Sequence, residues 1–262
     1  MIQFDISQLH DWMNAFLWPF LRILALIGAA PFLGESTIPV RLKIGLAALV
    51  AIVIAPAIGP LPDVSPGSFA GILLAVQQVL IGIALGLVMR FAFAAVQAAG
   101  EIIGLQMGLS FASFFDPGTG ANTAVLSRIM NIAATLVFLA LNGHLLLLGS
   151  LIHSFEAMPI RTGRLDINGW GILFEWSSQV VTYGILLALP LIITLLTINL
   201  ALGILNRTAQ QLSVFAVGFP ASLLAGLVLL CIVLPQTSSF FAHLFDSAYS
   251  AIARLSLALA GG

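Results

Sequence analysis

The sequence predicts an all-α, polytopic membrane protein of about six long hydrophobic helices, and three observations carry that prediction. Of 262 residues, 60% are hydrophobic and only 7% charged, whereas a soluble domain carries roughly a quarter charged residues. Nine Lys and Arg against ten Asp and Glu are too few to solvate a surface of this size, so lipid or other apolar chains must stand where water surrounds a soluble protein. Charge-poor stretches of about 20 residues, the length a helix needs to cross the hydrocarbon core, recur along the whole chain.

Taken in order, the first stretch covers 12–33 and is apolar apart from Arg22. The second, 44–61, is charge-free and runs out into Pro56, Pro60 and Pro62. The third covers 64–89, the fourth 129–155, the fifth 176–206 and the sixth 208–245. Pro190 in the fifth, and Gly218, Pro220, Gly226 and Pro235 in the sixth, predict helices kinked or broken into hairpins, where neighbouring helices re-satisfy the freed backbone groups. Residues 1–262 are expected to form a single subunit domain. With six full crossings, Arg41, Lys43, Arg90, Arg128 and Arg207 fall on one face and Arg161, Arg164 and Arg254 on the other, which favours an N-terminus on the outer face. The opening MIQFDISQLHDWMNAF has no basic stretch before its apolar part and carries Asp5 and Asp11, so it does not read as a cleaved signal peptide. A short echo links Ala84–Arg90 to Ala201–Arg207, with four of seven positions identical.

Several function classes fall away. No Lys/Arg cluster offers the electrostatic footprint that nucleic acid requires. The lone Cys231, inside LLAGLVLLCIVL, reads as a small buried hydrophobe and allows no disulfide. His10, His144, His153 and His243 are not spaced with acids as metal ligands, and no P-loop, GxGxxG or HExxH is present, so neither metal nor cofactor is expected. An intramembrane serine protease could pair Ser110 of Gly108-Leu109-Ser110 with His144, but Phe111 follows the serine and would crowd an oxyanion site. Asp116 lacks the second aspartate of an aspartyl protease. A small-molecule or ion carrier would keep ionisable groups within its helices. Its candidates, Arg22, Arg90 and Glu101, have no evident partners in the sequence, and Arg22 and Glu101 read equally as structural groups inside a bundle or subunit interface.

The stretch 100–121, GEIIGLQMGLSFASFFDPGTGA, differs from its surroundings. Gly100, Gly104 and Gly108 recur every four residues, placing three small residues on one helix face where another backbone can approach closely. Phe111, Phe114 and Phe115 then precede the turn sequence Asp116-Pro117-Gly118, in which proline fixes φ and glycine permits positive φ. Three aromatic rings at a bend either tuck back into the bundle or form a bulky apolar constriction that closes a conduit.

These residues, with RILALIGAAPFLGESTIPVRLKIGLA at 22–47, LNGHLLLL at 141–148, LALPLIITLLTINLALGILNR at 187–207 and QLSVFAVGFP at 211–220, resemble the FliR family of the bacterial flagellar type III export apparatus and its virulence-system counterparts called SctT. The resemblance covers nearly the whole chain. It implies a non-enzymatic, single-copy subunit of a hetero-oligomeric export gate at the flagellar basal body in the bacterial inner membrane. Its implied partners are FliP-like and FliQ-like subunits, an FlhB-like export component, surrounding lipid, and unfolded exported proteins as substrate. Much of such a gate lies toward the periplasmic side, so six spans describe hydrophobicity better than final placement. The resemblance also implies that the loop at 107–121, with Met107, Phe111, Phe114 and Phe115, plugs the closed pore. Arg207 and Gln211 match family positions expected to stabilise a turn or neighbouring subunit, whereas Gln210 stands where the family usually has proline, leaving that turn less rigid. A virulence injectisome gate and a small-molecule or ion carrier are the alternative readings.

Overall fold

Every regular element in the computed structural model is helical among the described residues, which are 6–109, 125–163, 165–208 and 218–261. In chain order they are α1 (Ile6–Ala29), α2 (Val40–Ile54), α3 (Phe69–Gln106), α4 (Val125–Ala140), α5 (Gly143–Ala157), α6 (Gly169–Thr208), α7 (Phe219–Val233) and α8 (Thr237–Leu259), with 3-10 turns at Ala55–Ala57 and Leu234–Gln236. Five helical stretches are long and apolar enough to cross a membrane, and a sixth if the bent pair α4 and α5 counts as one span. The chain is therefore an all-α polytopic membrane protein.

The apolar stretches and the helices differ in instructive ways. The fourth stretch is two helices, because Asn142 takes the left-handed conformation at φ 55°, which interrupts the ladder. The sixth breaks at Leu234–Gln236, where Pro235 forms a 3-10 turn. Pro190 remains inside α6 and Pro19 inside α1. Charge does not end α3: the helix runs on through Arg90, which is exposed, and through Glu101.

Two compact units are present. The first comprises Met1–Phe91, Asn142–Ser177 and Asp246–Gly262. Its α1 buries Trp18, Arg22, Ile23, Leu26 and Ile27, a spacing that repeats on one helix face. That face meets Gln78, Gly82 and Gly86 of α3, themselves four residues apart. A Cβ at Gly82 would collide with the Arg22 carbonyl oxygen, and one at Gly86 would lie 2.7 Å from Ala29 Cβ and 3.0 Å from Ala30 N. Only glycine lets these two backbones come so close. Trp176 Nε1 donates to the Val88 carbonyl at 2.8 Å, and Tyr249 Oη donates to that of Gly143 at 2.8 Å, so these two polar tips are satisfied within the apolar packing.

The second unit comprises Ala92–Leu141 and Ser178–Phe245. Phe93, Phe138 and Phe245 form its aromatic centre, with centroids 5.2–5.5 Å apart. Helix α7 buries Ser222, Gly226 and Leu230, spaced four residues apart on one face. Cys231 lies about 100° around the helix from Leu230 and is exposed, which corrects the expectation of a buried hydrophobe. An apolar environment for a helix does not mean burial within its own chain.

Candidate functional site

The end of α3 is built by three contacts within the second unit. Gly100 is buried against α4: a Cβ there would lie 2.5 Å from Ser127 Cα and 2.7 Å from Ser127 N. Ser127 Oγ donates to the Gln97 carbonyl at 2.9 Å, and Gln97 Nε2 donates to Asn131 Oδ1 at 3.1 Å, so polar bonds flank the close approach. Gly104 is looser, with Leu126 Cβ 3.9 Å and Leu109 Cδ1 3.8 Å from a Cβ built on it. Gly108 does not extend the helix. Its φ is +79°, Gly108 N donates to Leu105 O and Leu109 N to Gly104 O, both at 3.0 Å. This pair of bonds, with Leu109 folded over Gly104, is a Schellman stop, which requires the left-handed backbone that glycine adopts without steric cost.

Met107, one residue before that stop, is 3% exposed. Its side chain occupies the space at Gly226 of α7, where a Cβ would lie 2.5 Å from Met107 Cγ and 2.8 Å from Sδ and Cε. Glu101 is exposed on α3, and Arg207 is exposed in the last turn of α6. Phe111, Phe114, Phe115, Asp116, Pro117, Gly118, Gln210 and Gln211 lie outside the described residues, as does Ser110.

Arg22 belongs to a different place, the interior of the first unit. It is fully buried and its guanidinium is shared between two elements. Nε donates to Gln78 Oε1 of α3 at 2.8 Å; Nη1 donates to the Ser154 carbonyl at 3.0 Å and Ser154 Oγ at 3.2 Å; Nη2 donates to the Met158 carbonyl at 3.0 Å. The Phe155 ring lies 4.2 Å from Cζ. The carbonyls of Ser154 and Met158 close the C-terminal end of α5, where the helix dipole is negative, so the cation is met by backbone dipoles, an amide and a π-face. A buried cation so enclosed serves as a structural tie between α1, α3 and α5.

Sequence reasoning missed Gln78, Gly82 and Gly86, and took Gly226 as a kink or break, whereas α7 runs through it and its missing side chain admits Met107. The first three carry the same four-residue spacing that marked Gly100–Gly108, and the signal was available. Gly226 had none, because its role depends on Met107, more than a hundred residues away. Among the described residues no group of three or more His, Cys, Asp or Glu could hold a metal. His153 pairs only with Glu156, at 3.1 Å on the exposed face of α5.

The model for the family described as "Bacterial export proteins, family 1" matches residues 13–248. The Flagellar biosynthetic protein FliR of Escherichia coli K12 is 49% identical over 97% of this chain and 97% of its own length. The chain belongs to the FliR family of bacterial export proteins. Its similarity extends to FliR of Pectobacterium carotovorum, 46% identical with 97% of each chain covered. FliR of Bacillus subtilis is 30% identical over 87% of this chain and 88% of its own. FliR-family membership makes the chain a non-enzymatic export component of the membrane and removes the protease reading.

Proposed function

We propose that this FliR-family chain is a subunit of the flagellar type III export gate in the bacterial inner membrane, at the basal body. There it assembles with FliP-like and FliQ-like subunits and an FlhB-like component to conduct unfolded flagellar proteins. The flagellar names of its relatives favour this membership over an injectisome.

The observation that carries the assembly reading is the apolar side chain left exposed on whole helices. In α2 Val40, Leu49, Ile52 and Val53, and in α7 Leu224, Leu227, Val228 and Ile232, are each at least half exposed. Apolar partner subunits, together with lipid, are proposed to cover them. A small-molecule carrier is disfavoured because Arg22 is consumed by structural bonds while Arg90 and Glu101 are exposed.

The segment 107–121 is proposed to close the resting pore, with Phe111, Phe114 and Phe115 as its apolar bulk, Asp116-Pro117-Gly118 as its turn, and Met107, expected from the sequence to join the bulk but buried against α7, at its start. Apolar rings close a conduit by excluding water, without a charge that would hold a passing chain. Gly100 and Gly104 pack the preceding helix, and Arg207 and Gln211 support the distant turn. Deleting the gene and assaying secreted flagellar proteins tests the reading. Export should cease and return with the plasmid-borne chain, and undiminished export in the deletion strain would refute it.

A further inference from the structure

We infer that Gly226 is a positioning residue: its missing side chain forms the seat that holds Met107, and through Met107 it fixes the end of α3 from which the proposed closing segment begins. The inference rests on the closing role proposed above and adds what anchors it.

The contact has the features of a built seat. The buried residues of α7 are Ser222, Gly226 and Leu230, so one turn either side of Gly226 is also committed to packing. Ser222 Oγ lies 2.6 Å from Asn199 Oδ1 of α6 and 2.9 Å from the Gly218 carbonyl, its single proton available to one of them at a time, a contact that joins α7 to α6. One turn further on, the Met107 side chain fills the place where a side chain at 226 would begin, with its Cγ 2.5 Å from that point. Met107 is unbranched and can change rotamer. A methyl group at 226 therefore displaces Met107 before it displaces either backbone. The effect is directed at the residue immediately preceding Gly108, whose left-handed φ of +79° turns the chain out of the helix. Among the described residues the three atoms nearest the Gly226 Cβ position all belong to the Met107 side chain, so a change at 226 acts first through that side chain.

Two experiments in the intact complex test this. First, in a Cys231→Ser background, Met107→Cys with Gly226→Cys should form a disulfide on mild oxidation in native membranes. A Cβ at 226 close to Met107 Cγ puts the two Cβ atoms near the separation of about 3.5–4.5 Å that the bond requires. Absence of the bond overturns the inference. Second, Gly226→Val should leak small ions in the resting state to the extent that Met107→Ala does, and the double variant should leak no more than Met107→Ala, because both changes remove the Met107 side chain from the same seat. If Gly226→Val prevents assembly, Met107→Ala in the same chain should restore it by removing the overlap. An assembled Gly226→Val complex without a leak, additive leaks, or assembly unrescued by Met107→Ala would each overturn it. The triple alanine variant at Phe111, Phe114 and Phe115 separates the two levels. A leak there without one in Gly226→Val overturns the seat alone, and a leak in neither overturns the closing role as well.

Discussion

Replacing Arg22 by methionine should destabilise the chain by about 3–5 kcal/mol, through the buried acceptors it leaves without a donor. Two acceptors decide the size. Gln78 Oε1 and the Met158 carbonyl receive their bonds from the guanidinium, and each buried acceptor left bare costs about 1–3 kcal/mol. The Ser154 carbonyl keeps a second partner, Met158 N at 2.9 Å, and so adds less. The lost contact with the Phe155 face contributes up to about 2 kcal/mol for a desolvated pair, offset by no longer burying a charge. Arg22→Lys should rescue little, since a single ammonium cannot span Gln78 on α3 and Met158 beyond α5 with the fixed fork of a guanidinium. The assay is thermal unfolding of the detergent-solubilised chain in its complex. With roughly 2–4 °C per kcal/mol for a chain of this size, the fall should be on the order of 6–20 °C. The companion variant Gln78→Leu should cost much less when Arg22 is already methionine, since the pair is coupled. An unchanged melting temperature for Arg22→Met, or full rescue by lysine, would refute the view of Arg22 as a tie between three helices.

Gly82→Val should separate α1 from α3 and abolish folded chain in membranes, because the collision is with the Arg22 backbone oxygen, whereas Gly203→Ala, with nothing within 4 Å, should raise stability by about 0.5–1 kcal/mol; the same melts compare them. Phe111, Phe114 and Phe115 changed together to alanine should leave assembled complex on a blue-native gel and a resting ion leak, single changes leaking less. Abundant complex without leak, or loss of complex through cavities of roughly 3–5 kcal/mol per ring, would contradict the closing role. Arg207→Ala should lower complex yield before it lowers export per complex, through loss of about 1 kcal/mol at the helix end; normal yield with selective loss of export would reverse that assignment.

The fold class was legible because membrane helices are written in composition and run length, and both are local properties. Helix ends were less so. The stretch ending at residue 89 stopped at Arg90, a charge, but a helix ends where its backbone bonding changes, and α3 continues to the Schellman stop at Gly108. The break at Asn142 depends on a single left-handed residue inside an unbroken apolar run. Around the candidate site, the four-residue glycine spacing correctly drew attention to α3, yet its members differ: Gly100 admits a neighbouring backbone and Gly108 ends the helix. The echo between Ala84–Arg90 and Ala201–Arg207 shows the same limit, since Gly86 is packed tightly on α1 and Gly203 faces open space. Arg22 could be noticed from sequence as a charge in an apolar helix. Its acceptors could not, because two of them are backbone carbonyls, which every residue possesses.

On the proposed function, the exposed apolar helices of this chain are covered by the other subunits of an export gate. Purifying the tagged chain from native membranes and weighing the intact complex by native mass spectrometry tests it most directly. A discrete assembly holding one copy of this chain with several FliP-like and FliQ-like chains is the expected result. A folded, monodisperse monomer surrounded only by lipid would contradict the account.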